Sequence, residues 1–158
     1  MTDKDQMESI LNAGDLGHLG LSASGEVYVL PINYTYSAGR ILFHCALEGR
    51  KLDMMDANPN VCFTVCRQEG RPAPHAGNLC SAAFESVICW GTARAIADVE
   101  ERQAILNEFQ ARYDTPEKKR EPISLERAGK CGAVEITVTR MTGRRVADKE
   151  KSAWQWEA

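Results

Sequence analysis

Three consecutive residues, Gly49-Arg50-Lys51, concentrate the chemistry of this chain. They open the segment LEGRKLDMMDA, whose composition favours a short helix, and Asn58-Pro59 stops it. Backbone N–H groups at a helix start attract anions, and two fixed cations beside a glycine strengthen the attraction. Cations there are otherwise mildly unfavourable. The pair is therefore read as a seat for a phosphate, against the plainer alternative of two solvated charges. Just upstream, His44 and Cys45 are neighbours in an extended segment, so they point to opposite faces. An imidazole titrates near neutrality and can move a proton. A lone histidine in a strand is just as often a packed structural group, and both readings stand.

The other reactive side chains are less organised. Six cysteines, at 45, 62, 66, 80, 89 and 131, include no CxxC pair. Cys62 and Cys66 share one face of an extended stretch but stand about 13 Å apart, too far to chelate one metal alone. No metal site is read from the sequence. Most of the cysteines are expected to be small core hydrophobes in a reduced, cytoplasmic chain. The opening MTDKDQMESIL is charged and lacks the apolar stretch of a signal peptide. No apolar run reaches the roughly 18 residues of a membrane helix. Net charge is −3, and the longest basic run is Lys118-Lys119-Arg120, which disfavours nucleic-acid and membrane partners. With 158 residues, 44% hydrophobic and 26% charged, a single domain over 1–158 is expected, with 146–158 as a polar C-terminal tail.

The run from Val27 to Val65 must position the candidate seat. It reads as strand, tight turn, strand, short helix, strand. Glu26 to Tyr36 is apolar on both faces, as in a barrel wall packed inside and covered outside. Pro31 has no N–H, which places this strand at an edge or a bulge. Ser37-Ala38-Gly39 turns the chain, and Arg40 to Ala46 returns. Glu48 to Ala57 carries Leu52 and Met55 inward, and Val61 to Cys66 is the next strand.

The flanks extend the same pattern. Residues 4–13 form a helix with Met7, Ile10 and Leu11 on one face, and Leu16 to Ala23 is a strand in which His18 is packed or at the rim. Arg67 to Leu79, rich in Gly and Pro and containing His75, reads as a functional or interface loop. Cys80 to Ala97 is extended, with Trp90 in the core and a bend or bulge at Gly91. Asp98 caps a helix over 99–113 with Val99, Ile105, Leu106 and Phe109 on its apolar side. A polar loop over 114–123 and a helical turn over 124–129 precede the last clear strand, Cys131 to Thr139. The remainder is polar and ends with Trp154 and Trp156, which either pack or belong to a disordered end. About six strands and two or three short helices, without regular crossover helices, predict a mainly β fold: a small, mostly antiparallel β-barrel with a few α-helices.

The stretch FHCALEGRKLDMMDANPNVCFTV resembles the FMN-binding split barrels of the pyridoxamine 5′-phosphate oxidase-like superfamily. Phe43, His44, Gly49, Arg50, Lys51, Asn58 and Pro59 fall on the pattern. LPINYTYSAGRI and FESVICWGTARAI are most similar to the nitroimidazole-resistance branch. The resemblance covers roughly residues 8–143. It implies a homodimer with FMN in clefts between the subunits. Arg50 and Lys51 would meet the FMN phosphate. Phe43, His44 and Cys45 would line the ribityl chain and ring. Pro31, Ile32, Asn33 and Tyr34 would present backbone to the ring. Glu85, Ser86 and Val87 would approach from the partner subunit. Val29 stands where the oxidases bring a further arginine to the phosphate. The ending KEKSAWQWEA lacks their substrate-holding arginine and proline motif, so pyridoxamine oxidation is not expected.

The resemblance thus implies a flavoprotein oxidoreductase acting on a small-molecule substrate, such as the nitro group of a nitroimidazole, with His44 as proton donor. The alternative is a non-catalytic flavin- or haem-binding protein for storage, sensing or transport, with His44 as a haem ligand. No Gly-rich dinucleotide fingerprint is present, so a nicotinamide donor would visit without a dedicated domain.

Overall fold

A computed structural model of the chain describes residues 2–75, 78–147 and 150–158, with the backbone path alone for 69–75, 78–82 and 150. The element order is α1 (Asp3–Ala13), β1 (Leu16–Ala23), β2 (Glu26–Asn33), β3 (Thr35–Ser37), β4 (Arg40–Cys45) and α2 (Arg50–Ala57), then β5 (Asn60–His75), β6 (Asn78–Ala95), α3 (Val99–Tyr113), α4 (Leu125–Gly129), β7 (Gly132–Ala147) and β8 (Glu150–Glu157). The sheet runs β2-β1-β5-β6-β7-β4-β3, with β8 added to β7, and its pairings are antiparallel. β2 and β3 lie at opposite ends of this order, yet Tyr34 alone separates them in sequence. One residue can join the two edges only if the sheet curls until they meet. That curl is the barrel.

Alternation decides what fills it. Leu19, Leu21, Ile41, Phe43, Phe63, Val65, Val87, Val134 and Ile136 point inward and are nearly inaccessible. Gly17 leaves a notch for Phe63: a Cβ on Gly17 would collide with the Phe63 ring. Phe63 in turn meets Tyr34 edge to face, with centroids 5.0 Å apart. Helix α1 packs Met7, Ile10 and Leu11 onto this core, and Thr2 and Asp5 close a capping box at its start. The Tyr34 hydroxyl donates to the Leu11 carbonyl at 2.6 Å, and Tyr36 donates to Glu8 at 2.8 Å. Burial pushes both phenol groups up, and each stays a neutral donor.

A second, smaller core lies on the other face of β4. Leu42, Ile96, Ile105, Leu106, Ala128 and Ala133 pack α3 and α4 there. Its clamp is Arg102, only 9% exposed. The guanidinium donates to the carbonyls of Ile96 at 2.9 and 3.1 Å, Ala97 at 3.1 Å and Ala128 at 3.2 Å. Outside it, Glu135 takes Arg40 and Arg94, each at 3.0 Å, and those arginines also reach Glu108 and Glu101 of α3.

The structure corrects the sequence reading in several places. Residues 67–75 continue β5 and Asn78 begins β6, so the expected irregular loop is the end of a long hairpin; its residues 76–77 lie outside the described ones. Register shifts between Glu69 and His75 accommodate Pro72 and Pro74. The expected polar tail is the second half of β7 followed by β8, and Trp154 and Trp156 pack against the main core. Trp90, expected in the core, is half-buried on the outer face, where the Arg140 guanidinium covers its ring at 3.7 Å. Of the cysteines whose side chains are described, only Cys89 is fully buried, and burial pushes its thiol up to about 12; Cys66 is exposed. Within one chain the outer face of β2 is open, with Val27 74% and Val29 60% exposed. Among the described residues, no helix is long and apolar enough to cross a membrane.

Candidate functional site

The Gly49-Arg50-Lys51 segment forms the start of α2, as its sequence requires. Gly49 is the N-cap, at φ 132°, a conformation that disfavours any side chain. No side chain caps the helix, and the space a Cβ on Gly49 would occupy is open. The first N–H groups of α2 therefore face an uncrowded approach. At its other end, Asn58 donates to the Ser22 carbonyl at 2.8 Å and accepts from the Asn60 N–H at 3.1 Å, tying α2 to β1 and β5. Met54 and Met55 bury the helix against the barrel.

The two cations of the segment differ. Arg50 forms an ion pair with Glu26 at the start of β2 and stacks over Tyr28, with 4.7 Å from guanidinium to ring centroid. Lys51 has no hydrogen bond or ion pair among the described residues. It lies near Cys45; burial raises that thiol and the Lys51 charge offsets part of the rise. The site thus carries one cation answered by the chain's own carboxylate and one left open.

The other sequence-derived candidates divide by face. Pro31 and Asn33 are exposed on β2, and Asn33 donates to the Asp15 carbonyl at 3.0 Å. Ile32 is half-buried against the core, and the side chains of Tyr34, Phe43 and Val87 are wholly inside it, so only their backbone is left for a ligand. Cys45 turns toward the main core, while its neighbour His44 points the opposite way and is exposed. Ser86 is half-buried. Glu85 is held between Arg67 at 3.2 Å and Arg145 at 2.8 Å, so its carboxylate is already matched. The structure brings Lys51 toward Cys45, and Arg50 to the start of β2. It does not bring His44 to their side of the strand.

His44 meets Phe109 of α3 edge to face at 4.9 Å, beside a hollow of about 220 Å³ between β4, α3 and the 120–131 segment. Sequence reasoning missed this hollow, because its walls come from three separate stretches. It also missed Glu26 as partner of Arg50, 24 residues away. Among the described residues, no group of three or more His, Cys, Asp or Glu side chains gathers as metal ligands.

Comparison with known proteins agrees with this architecture. A family model described as pyridoxamine 5′-phosphate oxidase matches residues 3–145. A solved structure of a candidate 5-nitroimidazole antibiotic resistance protein from Bacteroides thetaiotaomicron is 26% identical, with a TM-score of 0.76 over 98% of this chain and 87% of that one. An FAD binding protein from Mycobacterium smegmatis is 25% identical, with a TM-score of 0.57 over 89% of this chain and 92% of that one. Among curated proteins, an uncharacterized protein of Rhizobium meliloti (strain 1021) is 31% identical over 62 residues, or 39% of this chain; the match spans 40% of that protein's length.

Proposed function

The chain belongs to the pyridoxamine 5′-phosphate oxidase family, and from that premise we propose that it is an FMN-binding oxidoreductase of the split-barrel type. The observation that carries this reading is the start of α2: a helix N-terminus with no side-chain cap, open space at Gly49 and a Lys51 with no partner among the described residues. This chemistry fits a phosphate monoester. Lys51 and the first N–H groups of α2 would hold the phosphate, and Arg50 would join them on leaving Glu26. The backbone of 31–34 and the 43–45 strand end would support the ribityl chain and ring. The FAD binding relative from M. smegmatis supports flavin as the ligand class. When bound, flavin supplies electron transfer that no side chain here supplies.

The substrate would be a small acceptor, a nitroimidazole nitro group among them, by likeness to the B. thetaiotaomicron protein. His44 is the proposed proton donor. Val29 leaves the seat without the further arginine of the oxidases, and pyridoxamine oxidation is not proposed. A homodimer would cover the open outer face, where the register lines up Val29, Gly20, Cys62 and Trp90, with Leu16 and Ile88 also exposed. The cofactor would lie at that interface, with Glu85, Ser86 and Val87 contributed by the partner subunit, and the protein would work in the cytoplasm.

The test is the visible spectrum before and after adding FMN. A two-band flavin spectrum lost on Lys51→Ala supports the reading. A single intense Soret band turns it to haem, with the exposed His44 imidazole as ligand; the absence of uptake of either overturns both.

A further inference from the structure

The hollow beside His44 has its own chemistry. Its volume of about 220 Å³ falls below the roughly 300–1,000 Å³ of clefts that take drug-sized ligands, so an occupant would be small. Leu106, Phe109 and Ile123 supply apolar wall; His44, Arg120 and Arg127 supply polar groups. The charge of Arg120 is answered: its Nε donates to Asp114 at 2.7 Å, and a terminal nitrogen donates to the Gln110 carbonyl at 3.0 Å. Arg127 differs. Its backbone N–H reaches the Ser124 hydroxyl at 3.3 Å, but its guanidinium has no hydrogen bond or ion pair among the described residues. The adjacent Glu126 is taken by Lys130 at 2.6 Å, and among the described residues no carboxylate lines the hollow.

A guanidinium stays charged at every physiological pH, and its planar fork matches a carboxylate through two parallel hydrogen bonds. The Phe109 ring beside it suits a flat apolar body. The His44 imidazole offers at least one N–H in any protonation state. We propose that this hollow binds a small planar carboxylate, with its anionic end on Arg127 and its flat body against Phe109, within reach of His44. The binding site stands without any cofactor. Its use as the acceptor site of a flavin rests on the preceding reading.

The full chain, as purified, is titrated with benzoate while the His44 ring signals are followed by NMR. Benzamide serves as the uncharged counterpart and phenyl phosphate as the competing anion. The expected result is saturable shifts with benzoate, at least tenfold weaker binding of benzamide and of phenyl phosphate, and at least a tenfold loss in Arg127→Gln. Because the guanidinium has no partner among the described residues, Arg127→Gln should melt with the parent, and Lys119→Gln should bind benzoate unchanged. Absence of saturation, equal binding of benzamide, preference for phenyl phosphate or full binding by Arg127→Gln would each overturn the assignment. The readout involves no flavin, so failure here leaves the FMN reading intact, and failure of FMN uptake leaves this one intact.

Discussion

Two arginines near the end of β4 teach different lessons. Arg50, at the start of α2, faces a carboxylate of its own chain, and any incoming anion has to compete with Glu26. Arg127, across the strand, faces no carboxylate among the described residues and lies beside an apolar wall. The first cation is balanced and its neighbour Lys51 is not; the second is unbalanced by itself. A folded chain thus sets how readily a cation accepts a ligand by where it places its own acids, as well as by where it places its bases.

The largest expected effect separates the two regions mechanically. Arg102→Leu removes the clamp that holds α3 and α4 behind β4 and strands the Ile96 carbonyl, while the Ala128 carbonyl keeps the Cys131 N–H at 3.4 Å. A buried carbonyl left without a donor costs about 1–3 kcal/mol, and a loss of that size is expected in urea unfolding. The hollow should lose its ligand while the α2 seat keeps its own; parallel loss of both would show that the regions are not independent.

Next is Lys51→Ala. Removing this cation, which has no partner among the described residues, should weaken FMN by at least about tenfold, enough for the purified protein to lose its flavin bands, and leave benzoate binding as it was. Fluorescence titration reads the first and NMR the second. Glu26→Gln goes the other way and is smaller. It frees Arg50 from an exposed pair worth at most about 1 kcal/mol, so FMN should bind a few-fold tighter. Weaker binding in Glu26→Gln would mean that the carboxylate supports the seat and does not compete with it.

The smallest effect lies in the charge lattice behind the hollow. Burial raises the Glu135 carboxyl, but hydrogen bonds from Arg94 and Arg40 more than offset this and hold it below the usual range. Its stabilising contribution is present above the unfolded glutamate value of roughly 4.3 and is lost as pH falls through the lower folded value. Glu135→Gln should therefore be less stable at pH 7 and show a shallower acid decline by thermal melting. An identical acid decline would remove Glu135 from the account.

What the sequence disclosed follows the range of each interaction. The α2 seat was legible because Gly49, Arg50, Lys51 and Asn58-Pro59 are local signals. The barrel core was legible where alternation held, as at Val134, Ile136 and Val138. It became unreadable at Thr139, where the ladder slips between Trp90 and Gly91. One extra residue moves the inward positions from 134, 136 and 138 to 141 and 143, so an intact strand looked like the start of a polar tail. Arg102 occupied the apolar stripe of α3 between Val99 and Leu106, a signal that was visible but passed over. Glu26 with Arg50, and the walls of the hollow, depend on segments far apart in the chain, which no local pattern connects.

The notch at Gly17 has a historical consequence. Residues 17 and 63 share one volume, so residue 17 cannot gain a side chain while residue 63 stays large. A lineage that gains a side chain at 17 survives only beside a smaller residue at 63. Laboratory selection should rediscover that order, recovering Gly17→Ala chiefly in clones that already carry Phe63→Leu. Recovery of Gly17→Ala at equal frequency beside an intact Phe63 would show that the two sites evolve independently.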